Sequence, residues 1–376
     1  MMLHPRWGGG GAGLSRVVLY VFLFVFIVVG LPTAIVLERW WSMPRKSPAF
    51  TIRLLREDLG EIQEMDLEDY LVGVVAAEMP ANFDLEALKA QAVAARTYAL
   101  YRLQEQGSVS ERLADLSSDF RSGQAWMSIE AQRERWGWYG YLHNRWRITS
   151  SIEATSGEVL TYQEQPIFAA YHSTSGGMTQ DAGAYFNEVP YLLGVPSPNE
   201  EISPYYQSAV HLSWQEVATR LDLEIPPEAA SWVGDEARLM SEESSVYDPQ
   251  TVTQEEPSTN ANSTSPTAMD DDAASPTALD FAALFQIGEF YPSGRVHTVE
   301  VLGHSFTGRQ IREKLGLRSN WFTVTASENG ITFDVRGNGH GVGMSQYGAQ
   351  AMAQAGHSYR DILHHYYTGV QLTKWY

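Results

Sequence analysis

One stretch of this chain decides its fold: DLEDYLVGVVAAEMPANFDLEALKAQAVAARTYAL, residues 66–100. The uncharged run 70–77 predicts a helix that ends in one carboxylic acid, Glu78, because Pro80 follows and stops the helix. A second helix is predicted to begin at Asp84, a residue type that accepts hydrogen bonds from the free N–H groups of a helix start. The stretch therefore predicts two packed helices with an acid at the end of the first.

The acid at this helix end has two interpretations. A lone carboxyl group in an apolar setting is poorly solvated, and desolvation raises its pKa toward the range where it can donate a proton at neutral pH. Arg96 and Lys89 lie on the predicted partner helix, where they could pair with Glu78 or with a substrate. From spacing alone a structural ion pair between Glu78 and Arg96 is somewhat favoured over catalysis, because perturbed acids are often structural.

Composition excludes several classes of function. The chain has 376 residues and no cysteine, which excludes disulfides, thiolate zinc sites and a cysteine nucleophile. The formal net charge is −19, and ten of these excess charges lie between Arg238 and Arg295, where no lysine or arginine occurs. So acidic a chain is a poor partner for nucleic acid.

An apolar segment precedes the rest of the chain. Residues 17–37 contain no charged side chain, and about 20 apolar residues span the hydrocarbon core of a bilayer. The segment predicts an uncleaved signal-anchor, with residues 1–16 in the cytoplasm and the body of the protein outside it. A cleaved signal peptide is the alternative.

The patterns along the body predict an α+β fold in which mixed helices and antiparallel β-hairpins form one groove-bearing domain. Its two parts, 48–240 and 279–376, flank the segment 241–278, which is rich in Ser, Thr, Pro and acidic residues. This segment has too little apolar content to offset the entropy of ordering, so we predict a disordered insertion. A β-hairpin is predicted over 158–174 and a strand over 288–303.

A glycine-rich loop forms the second constellation. Residues 337–349 read GNGHGVGMSQYGA, and the alternating glycines permit positive φ or a close approach of the backbone to another group. A helix is predicted to follow, so its free N–H groups would point into the loop. A ligand-facing loop and a tight packing of strand on helix, with His340 in the core, are equally compatible with this pattern.

A third cluster, YHSTSGG, occupies residues 171–177. Its His172, together with His340 and the pair at 364–365, could form a metal site, although scattered histidines are more often unrelated. Ser173 or Ser175 beside His172 is a weak signal for a serine nucleophile, because neighbouring strand residues point to opposite faces.

Together these segments resemble the stage II sporulation protein D family, which includes the amidase-enhancer proteins. The resemblance is carried by five motifs: DYLVGVVAAEMP (69–80), LKAQAVAARTYAL (88–100), YHSTSGGMT (171–179), PYLLGVPSP (190–198) and GNGHGVGMSQYGAQAMA (337–353). They keep their order over residues 50–376, and only 241–278 has no counterpart.

The resemblance implies a membrane-anchored lytic transglycosylase that acts on peptidoglycan glycan strands, in cell-wall remodelling or sporulation. It carries the acid over to Glu78 and supporting cations to Arg96 and Lys89. A tyrosine contributes in the family, and Tyr171 and Tyr191 are the two candidates. The residues expected to contact the glycan are Gln124, His172, Ser175, His340 and Gln346.

The resemblance also bears on cofactors, partners and location. Some family members hold zinc with a cysteine near the Ser-Gly-Gly position, which is Ser175 here, so we expect no cofactor and keep zinc as an alternative. The expected partners are glycan strands and the membrane through the N-terminal helix, with a cell-wall amidase as a further candidate. The expected location is the cell membrane, single-pass, with the catalytic domain extracytoplasmic.

The chemistry of a single acid agrees with this activity. A hydrolytic glycosidase needs two carboxylates, and no second Asp or Glu stands out in the motifs. A lytic transglycosylase needs one, because the C6 hydroxyl of the substrate attacks and leaves a 1,6-anhydro sugar. The alternative function is a noncatalytic glycan-binding amidase enhancer.

Overall fold

The computed structural model describes residues 19–30, 33, 50–105, 114–119, 121, 123–225 and 281–376. The chain divides into two compact units, Met1–Phe50 and Thr51–Tyr376. The predicted signal-anchor at 17–37 lies partly outside the described residues, and the predicted insertion at 241–278 lies wholly outside them. Within the described part of the chain, no helix combines the length and apolar character needed to cross a bilayer.

The larger unit mixes helices and sheets, as expected for an α+β fold. The helices described in it are α1 (Leu67–Glu78), α2 (Leu85–Glu105), α3 (Ile129–Ala154), α4 (Trp214–Leu221), α5 (Phe281–Leu284), α6 (Gly308–Leu315), α7 (Gln346–Gln354) and α8 (Tyr359–Tyr366). The strands are β1 (Thr51–Arg56), β2 (Glu61–Asp66), β3 (Leu116–Ser117), β4 (Glu158–Tyr162), β5 (Gln165–Pro166), β6 (Tyr171–His172), β7 (Gln207–Leu212), β8 (Phe285–Ile287), β9 (Thr298–Val301), β10 (His304–Thr307), β11 (Phe322–Ser327), β12 (Gly330–Arg336), β13 (Met344–Ser345) and β14 (Gln371–Lys374).

The strands form small sheets, mostly antiparallel. Their orders are β2-β1-β3, β10-β9-β8, β11-β12-β7, β14-β4-β5 and the pair β13-β6. Two pairings are parallel, β1 with β3 and β6 with β13. The predicted hairpin over 158–174 is therefore only half right: β4 pairs with β5, but β6 leaves that sheet and pairs with β13. The predicted strand over 288–303 shortens to β9.

Helices α1 and α2 form where the sequence predicts them. The Asp66 side chain caps α1 by accepting a 2.8 Å hydrogen bond from the Glu68 N–H. Asp84 likewise accepts a 3.0 Å bond from the Glu86 N–H at the start of α2. Almost all of α1 is buried, and it packs against both α2 and α3. Because buried apolar residues cover most of the circumference of α1, the helix is held in place and its final residue is fixed in position.

A second hydrophobic core joins the chain on both sides of the undescribed residues 226–280. Trp214 and Val217 of α4 pack in it with Phe285 of β8 and with Phe322 and Phe333 of the β11–β12 hairpin. Helix α4 begins with a capping box, in which the Ser213 hydroxyl and the Glu216 carboxylate satisfy each other's backbone N–H groups. The parts of the chain before and after residues 226–280 therefore share one hydrophobic core.

The packing of α1 makes a testable prediction at Gly73. A Cβ there would lie far inside van der Waals contact with the Trp126 indole. Alanine gains up to about 1 kcal/mol of helix propensity over glycine, but we expect Gly73→Ala to lower the melting temperature because the indole must move. In a Trp126→Ala background the same substitution should be neutral or stabilising. Equal effects in both backgrounds, measured by thermal unfolding, would contradict this packing.

Candidate active site

Glu78 ends α1 with its carboxyl group in a pocket. The next residue, Met79, already has extended backbone, with φ −129° and ψ 140°. Glu78 Oε1 accepts a 2.7 Å hydrogen bond from the Ala125 N–H, and Oε2 accepts a long one, 3.5 Å, from Gln346 Nε2. The Tyr171 hydroxyl is a further partner of the carboxyl group. Three separate segments therefore converge on one acid.

The pocket has a volume of about 580 Å³. Its described lining residues are Glu78, Tyr98, Arg102, Arg121, Gly123, Gln124, Phe168, Ala169, Ala170, Tyr171, Phe186 and His340. Within this described wall Glu78 is the one acidic residue, while Arg102 and Arg121 are cationic. The wall thus combines a single carboxyl group, two cations and several aromatic rings.

The environment of Glu78 changes its acidity. Burial raises the pKa of the carboxyl group to about 7, and the bonds from Ala125, Gln346 and Tyr171 partly oppose this rise because they favour the charged form. No cationic side chain is among the causes of the shift. A carboxyl group with this pKa is protonated in a large fraction of molecules near neutral pH, as a general acid requires.

A buried hydrogen-bond chain orients Tyr171. Gln124 Nε2 donates to the Tyr171 hydroxyl at 2.9 Å, and Gln124 Oε1 accepts from the Tyr70 hydroxyl at 3.2 Å. Burial and the nearby Glu78 raise the pKa of Tyr171 well above its ordinary value. The hydroxyl therefore keeps its proton and, accepting from Gln124, can donate it to Glu78. Gln124 is only 3% exposed and lines the pocket; its bonds support Tyr171, and its contact with glycan stays a prediction.

His340 lines the pocket as a neutral ring. Its Nδ1 accepts a 3.0 Å hydrogen bond from the Val342 N–H, and its ring packs edge-on against Phe186 with centroids 5.4 Å apart. Burial, followed by the nearby Arg312 and Arg295, lowers the pKa of His340 to about 3. The ring can form part of the glycan surface, as predicted, but it does not carry a proton for the reaction.

His172 lies behind His340, with ring centroids 5.6 Å apart. It is only 5% exposed, its Nδ1 bonds the Val342 carbonyl at 3.1 Å, and burial lowers its pKa well below the ordinary value. The prediction that it binds substrate is therefore wrong. Among the described residues, no group of three or more His, Cys, Asp or Glu side chains is placed to hold a metal ion.

Ser175 is fully buried and does not reach the pocket. Its hydroxyl bonds the carboxylate of Glu200 at 2.8 Å, so the predicted glycan contact is wrong. Sequence reasoning missed Glu200; its only signal was the position just after the motif at 190–198.

The two cations predicted to serve Glu78 bind other acids. Arg96 is fully buried and forms a bidentate pair with Glu68, at 2.8 Å and 2.6 Å, and its remaining N–H groups donate to the carbonyls of Ile152 and Glu158. The predicted pairing of Arg96 with Glu78 is therefore wrong. Lys89 pairs at 2.6 Å with Glu86 on its own helix. The pocket takes its cations from the C-terminal part of α2 and from the following loop instead.

The structure also separates the two tyrosine candidates. Tyr171 contacts Glu78, whereas the Tyr191 hydroxyl accepts a 3.2 Å hydrogen bond from the Phe168 N–H and its ring packs on Tyr162. Tyr191 thus supports the segment that carries the pocket residues. Gln346, predicted as a glycan contact, lies beside the Glu78 carboxyl group, to which its Nε2 donates at 3.5 Å; its contact with glycan stays a prediction.

The glycine loop packs against the protein itself. All four alternating glycines have positive φ, between +72° and +111°. A Cβ at Gly341 would collide with the Arg295 guanidinium, and one at Gly343 with the Ala170 carbonyl. The packing interpretation therefore holds for the glycines, while His340 between them faces the pocket.

Comparisons with known proteins place the chain in a family. Residues 56–162 match the family described as Stage II sporulation protein. Stage II sporulation protein D of Bacillus amyloliquefaciens is 34% identical over 332 residues, 88% of this chain and 80% of that protein. The Bacillus subtilis (strain 168) protein of the same name is 33% identical over the same shares. Amidase enhancer of Bacillus subtilis (strain 168) is 31% identical over 81% of this chain but only 40% of its own length.

The chain therefore belongs to the stage II sporulation protein D family. This confirms the resemblance inferred from the five motifs. The relatives at 34% and 33% identity each align with 88% of this chain, over more than 300 residues.

The burial of Arg96 predicts a structural phenotype. Arg96→Gln leaves Glu68 without its partner and should destabilise the fold by about 3–5 kcal/mol. Lys89→Gln, on the same helix, breaks a half-exposed pair and should cost no more than about 1 kcal/mol. Denaturant unfolding of the purified variants measures both values. An Arg96 variant of full stability that loses only glycan cleavage would restore the catalytic interpretation.

The pKa of Glu78 predicts how stability depends on pH. Because the folded-state pKa of about 7 exceeds the ordinary 4.5, stability contributed by the protonated carboxyl is fully present below pH 4.5 and is lost as the pH rises to about 7. At 1.36 kcal/mol per pKa unit the loss is at most about 3 kcal/mol.

Glu78→Gln removes this loss while keeping an acceptor for the Ala125 N–H. The variant should therefore melt a few degrees above the wild type at pH 8 and within a degree or so of it at pH 4. Asp69→Asn, on the exposed side of the same helix, should show no such difference. A Gln variant that is equally destabilised at both pH values would show that the carboxyl is not desolvated.

Proposed function

We propose that this protein is a lytic transglycosylase that cleaves peptidoglycan glycan strands and leaves 1,6-anhydro-muramyl ends. Membership in the stage II sporulation protein D family and the names of its relatives support a role in the cell wall. The observation that carries the reaction is Glu78: one carboxyl group with a pKa of about 7, in a pocket whose described wall holds no second acid.

A single acid restricts the possible mechanisms. Hydrolytic glycosidases place two carboxyl groups about 5–9.5 Å apart, so that one protonates the leaving oxygen and the other attacks or activates water. Glu200, the fully buried acid that the sequence did not reveal, is enclosed by hydrogen-bond donors and cannot reach a sugar. An intramolecular nucleophile, the C6 hydroxyl of the muramyl residue, removes the need for a second carboxylate.

The proposed reaction uses Glu78 twice. The protonated carboxyl donates to the glycosidic oxygen as the C1–O bond breaks, which frees the new end of the leaving strand. The resulting carboxylate accepts the proton of the C6 hydroxyl as its oxygen bonds to C1. The acid is thereby regenerated and no water is consumed.

The neighbours of Glu78 support its charged state in mid-reaction. The Ala125 N–H, Gln346 amide and Tyr171 hydroxyl all donate toward the carboxyl oxygens, so they stabilise the carboxylate that forms when the proton leaves. Because these donors are preset by the fold, they need no rearrangement during the reaction.

The remaining wall fits a sugar chain. Phe168 and Phe186 present aromatic rings, and apolar ring faces pack well on the C–H faces of sugars. Arg102 and Arg121 supply positive charge on the same wall, where they can bind carboxylate or other acceptor groups of the glycan. We therefore assign to Arg102 the role of supporting cation that the sequence analysis assigned to Arg96.

The proposed location follows from the substrate. Glycan strands lie outside the cytoplasmic membrane, and residues 17–37 are long and apolar enough in sequence to anchor the protein there. In this proposal the larger unit acts outside the membrane and is tethered to it by its N-terminal segment.

A second candidate function has a specific basis in one relative. The protein named Amidase enhancer matches 81% of this chain, so the shared unit could bind glycan and promote a cell-wall amidase without cleaving. Both functions use the same pocket, but only cleavage requires the proton of Glu78. The two are separated by the Glu78 variant described next.

Glu78→Gln should abolish the release of anhydro-ended glycan fragments, a loss of at least about 100-fold, while leaving the fold and glycan binding intact. Asp69→Asn, an equivalent change on the exposed side of α1, should cleave like the wild type. Mass spectrometry of purified glycan strands after incubation with each protein measures both. Anhydro products released at the wild-type rate by the Gln variant would exclude Glu78 as the acid, and wild-type protein that binds without cleaving would favour the enhancer.

A further inference from the structure

Glu200 is 0% exposed, and no other acidic residue of the described chain is buried as completely. Its carboxylate accepts hydrogen bonds from three hydroxyls, those of Ser175, Ser197 and Ser345. It also accepts from three consecutive backbone N–H groups, of Ser175 at 3.2 Å, Gly176 at 2.7 Å and Gly177 at 3.1 Å. We call this arrangement the Glu200 cage; its members are Glu200, Ser175, Gly176, Gly177, Ser197 and Ser345.

The cage holds the ends of two short strands. Ser175 and the two glycines follow β6, and their positive φ values, +81° and +112° for Gly176 and Gly177, aim successive N–H groups at one anion. Ser345 ends β13 and is the N-cap of α7, where its hydroxyl also accepts from the Gly348 N–H at 3.2 Å. One carboxylate therefore fixes both strands at the same end.

These two strands deliver two of the three groups that touch Glu78. Tyr171 lies in β6 and pairs in register with Met344, while His172 pairs with Ser345. Gln346 is the residue directly after Ser345. The cage is thus linked to the catalytic carboxyl group by two routes. One runs from Ser345 to the next residue, Gln346, at the start of α7. The other runs along β6 to Tyr171.

We propose that Glu200 is a positioning residue for catalysis: by holding Ser345 and the turn after β6, it sets Gln346 and Tyr171 against Glu78. This proposal rests on the proposed function for its kinetic consequence. The positioning itself is a property of the folded protein and can be measured without substrate.

A purely structural role is the competing explanation. The Arg295 guanidinium donates to the Ser175 carbonyl at 2.8 Å, so Glu200 also lies near a buried cation and contributes to the core. A structural role predicts that cage variants lose stability in proportion to the bonds removed, without a specific change at Glu78. A positioning role predicts an additional change in the titration of Glu78.

The direction of that change follows from the groups around Glu78. Gln346 and Tyr171 favour its ionised form, together with the Ala125 N–H, and the titratable groups that face it are the hydroxyls of Tyr70, Tyr98 and Tyr171. Loosening Gln346 and Tyr171 removes support from the carboxylate, so Glu78 should release its proton at higher pH.

Ser345→Ala, in the full chain, removes one cage bond and a helix cap. Ser358→Ala is the matched control, because Ser358 caps the neighbouring helix α8 in the same way and is not part of the cage. Each change should lower the melting temperature by removing a helix cap, and Ser345→Ala should lower it further because it also removes a hydrogen bond to a buried carboxylate. Titration of the Glu78 carboxyl by carbon-13 NMR, assigned by the signal that Glu78→Gln lacks, should shift upward by about 0.5–1 pH unit in Ser345→Ala only.

The rate of glycan cleavage should fall several-fold in Ser345→Ala and remain unchanged in Ser358→Ala. Glu200→Gln, where it folds, should shift the titration in the same direction. Identical titration of Glu78 in Ser345→Ala and Ser358→Ala would overturn the proposal. If the wild type releases no anhydro product yet the titration still shifts in Ser345→Ala, the positioning holds and the proposed reaction is the part that fails.

Discussion

Helix α1 is buried over most of its surface and still ends in a carboxylic acid. Its apolar residues fill the space between α2 and α3, which fixes the last residue, Glu78, at the pocket wall. There the carboxyl group loses water and receives only three hydrogen bonds in exchange. The pKa of about 7 follows from this imbalance, and with it the capacity to donate a proton at neutral pH. The pocket, the hydrogen-bond chain through Gln124 to Tyr171 and the Glu200 cage all serve the carboxyl group of Glu78.

Local features of the fold could be predicted from the sequence because their causes are local. Asp66 and Asp84 cap the helices at the predicted positions, and Pro80 ends α1 where expected. The same reasoning located Glu78 and the special backbone of the glycine loop, since an isolated acid and alternating glycines are visible without knowledge of distant contacts. The family resemblance added Tyr171 and Gln346, whose proximity to Glu78 no local pattern reveals.

What the sequence could not reveal depends on contacts between distant segments. Glu68 and Glu78 lie at opposite ends of α1, and only the packed structure shows that Arg96 lies at the Glu68 end and binds that acid. Ser175 lies in one of the motifs that carry the family resemblance, but its hydroxyl faces inward to Glu200, so a position in a motif does not by itself separate glycan contacts from internal support. The parallel pairing of β6 with β13 joins residues about 170 positions apart. A hairpin is predicted from residues that are close in sequence, so such a prediction misses this pairing.

We propose that one acid suffices because the substrate supplies its own nucleophile. Cleavage of purified glycan strands in water labelled with oxygen-18 tests this most directly, with mass spectrometry of the new ends. Our account predicts 1,6-anhydro ends that carry no label and are lighter than a hydrolytic product by one water molecule. New reducing ends that carry the heavy oxygen would contradict it, because water would then be the nucleophile and a second catalytic group would have to activate it.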